Sequence, residues 1–238
     1  MSENACSTGP GLAEFPGTHW SVIVSAGDVE SPAARRSLED LARLYWRPIY
    51  AYVRRKWGRS REEAQDLTQD FFAGLSEKRF LDTLSPENGR FRSYVMAVLD
   101  NLARGEHRRA HAAKRGGGIP ARALEDVEPA VGRTPEEAFL RDWAEAVLRD
   151  ALAELKDEYL RGGRGAEYQV FALRDVEGGE PSYAALAERS GLRVSQVTHA
   201  LYFARTRLRE LVLRRVRDSV GSARDAEQEM LRLFGEPR

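Results

Sequence analysis

Five side chains at the head of one amphipathic stretch, Arg193, Ser195, Gln196, Thr198 and His199, are of the types that hydrogen-bond to base edges and phosphates. Arg205, Arg207, Arg209, Arg214, Arg215 and Arg217 follow on the same stretch, opposed only by Glu210 and Asp218. The chemistry these residues offer is recognition of a polyanion, with no bond made or broken. A second basic cluster, Arg104, Arg108, Arg109, Lys114 and Arg115, is opposed locally only by Glu106. An opposite character is found at Asp66, Gln69 and Asp70, which share one face of a helical repeat with Glu62.

Catalytic and metal chemistry are poorly supplied. His107 and His111 are spaced for one helix face, but no third ligand stands nearby and the surrounding cations repel a divalent ion, so no metal is expected. Gly116, Gly117 and Gly118 are not followed by the Gly-Lys-Ser or Gly-Lys-Thr of a phosphate cradle. Four histidines and the lone Cys6 form no Ser/His/Asp or Cys/His arrangement. The expectation is a protein that is not an enzyme and takes no cofactor.

The elements that position these groups are helical. Leu38, Leu41, Tyr45, Ile49, Tyr52 and Val53 recur at spacings of three and four between Ala33 and Trp57, with Pro48 predicting a kink or break. Ser60 reads as an N-cap before a helix whose buried face is Ala64, Leu67, Phe71 and Leu75. After the turn SPENG, Phe91, Tyr94, Val95, Val98, Leu99 and Leu102 mark a third helix running into the basic cluster. Thr134, Pro135 and Glu137 combine a cap, a first-turn proline and a capping-box glutamate, and Phe139, Trp143, Ala146, Val147, Leu152, Leu155 and Tyr159 follow. A shorter helix passes through Tyr168, Val170, Phe171 and Leu173. Ser182 then caps a short helix, Gly191 turns the chain, and Val194, Val197, Leu201, Ala204 and Leu208 line the inner face of a longer one, the grammar of a helix-turn-helix. No stretch alternates at period two, so the fold class is all-α, with no sheet.

The 238 residues divide into a flexible arm over 1–17, a helical domain over 18–115, a flexible linker over 116–133, a helix-turn-helix domain over 134–218 and a tail over 219–238. Hydrophobic residues at 42% suffice for packed cores, and charged residues at 31% sum to zero, so polyanion binding rests on where the charges sit. A single cysteine excludes an internal disulfide, and the opening MSENACSTGPGLAEFPG has neither a signal-peptide pattern nor a membrane-length apolar run; a cytoplasmic chain without membrane contact is expected.

These segments together resemble the extracytoplasmic-function sigma factors of the sigma-70 class. REEAQDLTQDFFAGL is similar to the family's region 2.2, GRFRSYVMAVLDNLARGEHRRAHAAKR to regions 2.3 and 2.4, and PSYAALAERSGLRVSQVTHALYFARTRLREL to region 4.2. The resemblance implies that Asp66, Gln69 and Asp70 bind core RNA polymerase. It implies that Asn88, Asn101, Arg104, Arg108 and Arg109 open and read the minus-ten element of promoter DNA. Arg193, Ser195, Gln196, Thr198, His199, Arg205 and Arg207 would read the minus-thirty-five element. An anti-sigma factor is a further partner that such a protein admits. This chain has Thr198 and Ala200 where the family often has basic residues, so its promoter sequence does not carry over. The alternative is a stand-alone helix-turn-helix regulator that binds DNA without polymerase; a pure protein-interaction module would leave both arginine clusters unused.

Overall fold

The computed structural model describes residues 31–77, 79, 91–113, 134–179, 181–220 and 223–235. Among the described residues every regular element is a helix, as the spacing predicts. The arm over 1–17, the linker over 116–133, Asn88 and the SPENG turn lie outside them.

Helix α1, Pro32–Trp57, starts at Ser31, whose hydroxyl accepts from the Ala34 amide at 3.3 Å. It runs through Pro48 without interruption. The proline ring is buried and removes one ladder hydrogen bond, a loss that packing on either side outweighs. Helix α2, Arg61–Ser76, opens on a complete capping box: the Glu63 amide donates to Ser60 Oγ at 3.2 Å, and the Ser60 amide to Glu63 Oε2 at 2.9 Å. Helix α3, Phe91–Ala113, carries Arg104, Arg108 and Arg109 of the basic cluster, while Lys114 and Arg115 lie outside the described residues.

Helix α4, Pro135–Arg161, has the same reciprocal cap between Thr134 and Glu137. Helix α5, Gly165–Phe171, continues into a π-helical turn over Ala172–Val176. Helix α6, Tyr183–Ser190, is capped by Ser182 and ends at Gly191, whose φ of 71° lies in the left-handed region that favours glycine. Helix α7, Val194–Arg217, is followed by α8, Ala223–Phe234, within the tail.

The two helical groups are continuous through one hydrophobic cluster. Helix α4 is central: it packs on α1 on one side and on α7 and α5 on the other. Ala138, Phe139, Trp143, Ala144, Ala146, Val147, Ala151, Leu155 and Tyr159 are buried along it, too wide a spread for a single stripe, and a helix apolar on two sides needs two partners. Rings from both groups interlock there. Tyr45 of α1 meets Phe91 of α3 edge-on at 5.2 Å and Trp143 of α4 at 6.1 Å, while Tyr52 meets Phe139 edge-on at 5.6 Å.

Candidate nucleic-acid interface and the surfaces around it

Helix α2 buries Ala64, Leu67, Thr68, Phe71, Phe72 and Leu75, which turns Asp66, Gln69 and Asp70 outward, all three exposed. Asp66 and Asp70 are one turn apart, so the helix holds two carboxylates and an amide on a fixed spacing, an acceptor set suited to arginines or lysines on a partner. Beside this face the sequence reading missed Trp46. Its ring, still 37% exposed, stacks on Phe72 at 5.6 Å with 15° between planes. An apolar plate next to charged acceptors is the composition of a docking surface. The capping box orients this helix, so Ser60→Ala is expected to lower unfolding stability by about 1 kcal/mol in a urea titration, without changing the helix's partners.

On α3 the inner face is Val95, Val98, Leu99 and Ala103, and Asn101 and Arg104 point to solvent. Arg108 lies one turn beyond Arg104 on the same helix with Arg109 next to it; the side chains of both, like Asn88 as a whole, lie outside the described residues. Asn101, Arg104 and Arg108 are spaced by three and four, which aligns them on one helix face.

Leu186 of α6 and Val197, Ala200, Leu201 and Ala204 of α7 form the buried seam of the helix pair around Gly191. Arg193, Ser195, Gln196, Thr198 and His199 are exposed at the head of α7. Gln196 closes the helix start, since its Oε1 accepts from the Arg193 amide at 2.9 Å and from Arg193 Nε at 3.3 Å. Val194 departs from its expected place on the inner face. It is 50% exposed at the first position of the helix.

The cations that follow are less free than their sequence neighbourhood suggests. Arg205 makes two bonds to Asp175, at 2.7 and 2.8 Å. Arg207 grips Glu158 at 2.7 and 2.9 Å and Glu210 at 2.8 Å. Arg214 reaches Glu154 at 2.5 Å, and the buried Arg215 reaches Asp150 at 2.7 Å and Glu154 at 2.8 Å. Counting Glu210 and Asp218 as the only opposing acids is therefore corrected by the fold: α4 and the π-helical turn deliver Asp150, Glu154, Glu158 and Asp175 from 30 to 65 residues away. Arg207 is held firmly protonated by these carboxylates, and Glu158 in turn is lowered below the ordinary carboxylate range by the hydrogen bonds from Arg207.

A second charged seam joins α1 and α3 to α4. Lys56 Nζ sits 2.8 Å from Glu136, 3.1 Å from Asp100 and 2.7 Å from the Tyr52 hydroxyl. Burial pushes the Tyr52 phenol up to about 12, and the Lys56 bond lowers Glu136. Arg55 pairs with Asp142, and Arg43 with Asp150 at 3.4 Å.

For Glu154, burial raises the carboxyl but the bonds from Arg214 and Arg215 outweigh it, so Glu136, Glu154 and Glu158 are all lowered. A carboxylate depressed in the folded state contributes stability above its unfolded pKa and loses it as pH falls through the folded value. The melting temperature is thus expected to hold near neutrality and to fall steeply from about pH 4.5 downward; a flat profile to about pH 3 would contradict the pairing.

Deepest of all is a pair that sequence reasoning missed. Arg92 of α3 and Glu229 of α8, each 1% exposed, meet at 2.6 Å, and the guanidinium lies 4.3 Å from the Trp143 ring centre. The signal was a charge inside an apolar stripe: Arg92 falls in line with Val95 and Leu99, and Glu229 with Ala226 and Met230. Among the described residues, no group of three or more His, Cys, Asp or Glu could hold a metal ion, and no helix is long and apolar enough to cross a membrane.

Comparison with protein families matches residues 41–113 to sigma-70 region 2, a span running from α1 to the end of α3. The comparison with curated proteins returned no match.

Proposed function

Since residues 41–113 match sigma-70 region 2, we propose that the chain is a sigma factor of the extracytoplasmic-function type, binding core RNA polymerase and directing it to promoters. The observation that carries this reading is the separation of opposite chemistries on exposed helix faces of one chain. Carboxylate and amide acceptors are exposed on α2 within the matched span, and amide, hydroxyl, imidazole and guanidinium groups are exposed on α3 and at the head of α7. A promoter-recognition subunit needs that separation, because it grips a protein at one place and a polyanion at two others.

In this reading Asp66, Gln69 and Asp70 contact polymerase. Asn101 and Arg104, with Asn88, Arg108 and Arg109, handle the minus-ten element, and α6 and α7 form a helix-turn-helix placed at the minus-thirty-five element. Recognition and strand capture are binding events, so the chain itself makes no bond and takes no cofactor. An anti-sigma factor is a third partner compatible with these surfaces. The separation of the charges also explains how zero net charge coexists with DNA binding.

The test is capture of genomic DNA fragments by the purified chain with and without core polymerase. Sequence-specific enrichment is expected only when core is present. Equal enrichment without core, on palindromic sites, would replace the sigma reading with a stand-alone regulator.

A further inference from the structure

The reading face of α7 continues past the polar residues into two rings. Tyr202 is 66% exposed and Phe203 54% exposed, whereas among the described residues most of the other large aromatic side chains are enclosed. Tyr202 follows Thr198 by four residues and His199 by three, which puts it one turn farther along the strip that begins at Ser195. Phe203 touches both neighbours edge-on, His199 at 6.4 Å and Tyr202 at 5.5 Å. Between Val194 and Arg209 the helix carries no aspartate or glutamate. The cations that follow on the helix, Arg205 and Arg207, are occupied by Asp175 and by Glu158 and Glu210, and Arg164, which lines the same cavity as Phe203, by Glu167. What remains to reach outward at this turn is aromatic.

Duplex DNA is the occupant that this strip fits. The major-groove edge of thymine presents an apolar C5-methyl beside the O4 acceptor. An exposed tyrosine offers the matching pair, a ring for the methyl and a hydroxyl donor for O4. A protein partner would favour a broader apolar surround, whereas Tyr202 stands along a strip with Ser195, Thr198 and His199, and the cavity that Phe203 lines is mostly charged, with Glu158, Arg164, Arg207 and Glu210. We propose that Tyr202, flanked by Phe203, is a specificity-determining residue that reads thymine methyl groups in the upstream promoter element. The inference rests on the helix-turn-helix reading of α6 and α7, and it deepens that reading by naming the base.

The test uses core polymerase with the full chain on promoter duplex, against the same duplex with every upstream thymine replaced by deoxyuridine, which removes the methyl and keeps O4. The wild-type complex is expected to bind the deoxyuridine duplex more weakly by about fourfold per contacted methyl. Tyr202→Ala should weaken binding to the thymine duplex and abolish the difference between the two duplexes, while Tyr202→Phe keeps the difference. Because Tyr202 is largely solvent-exposed, the alanine variant should retain its circular dichroism and its affinity for core. Full deoxyuridine sensitivity in Tyr202→Ala overturns the proposal, as does a loss of core affinity with DNA binding unchanged, which would assign the rings to a protein. If Arg193→Ala and His199→Ala also leave upstream DNA binding intact, the helix-turn-helix reading itself fails, an outcome separable from failure at Tyr202 alone.

Discussion

Asp66→Arg combined with Asp70→Arg is expected to weaken binding to core RNA polymerase by about 100-fold or more, the scale at which close charge pairs govern protein interfaces. Both carboxylates stand on the solvent side of α2, one turn apart, while the opposite side is fixed by Leu67, Phe71 and Leu75 in the core. Reversing them therefore changes the surface without opening the fold, and the melting temperature should stay within about a degree or two of wild type. Surface plasmon resonance against immobilised core reads the affinity, and circular dichroism reads the fold. Gln69→Ala should cost less, because an amide contributes no charge across the interface. An unchanged affinity in the double variant would remove polymerase docking from this face.

The second large effect lies in the core. Arg92→Met removes the guanidinium from the buried Glu229, and losing one member of a buried ion pair costs about 3–5 kcal/mol. Adding Glu229→Leu should restore most of that loss, since a buried ion pair and a well-packed apolar pair of similar volume are close in stability. Urea unfolding of the two single variants and the double variant measures the coupling. Additive losses would mean that the two residues stabilise the protein separately. The pair ties α8 to α3, and its guanidinium also rests on Trp143 of α4, so the single variants are expected to loosen the tail from the body of the protein. The Phe91 amide, bonded to the Ser219 carbonyl at 3.3 Å, reports on the same junction by hydrogen exchange.

Local rules were readable wherever the information is local. Ser60 with Glu63, Thr134 with Glu137, and Gly191 between α6 and α7 each state their structure within a few residues, and each forms as its types require. The apolar repeats of α1 to α3 were equally plain. What sequence periodicity does not contain is which helix meets which. It assigned α4 one apolar face, whereas the alanines between its large residues allow close packing on a second side, and this joins the two helical groups in one core. Nor does local charge counting see Glu158 approaching Arg207 from 49 residues away, or Glu229 approaching Arg92 from 137. Of the candidate DNA-contacting groups on α7, the polar ones at its head could be placed by capping and turn alone. The state of Arg205 and Arg207, and the exposure of Tyr202, depended on tertiary packing.

The most direct measurement is transcription by purified core polymerase on genomic DNA, with and without this protein, and sequencing of the transcript starts. Starts that appear only when the protein is added, and share upstream elements at fixed spacing, are the result expected of a sigma factor. Core polymerase that neither retains the protein nor gains any start in its presence would contradict that function.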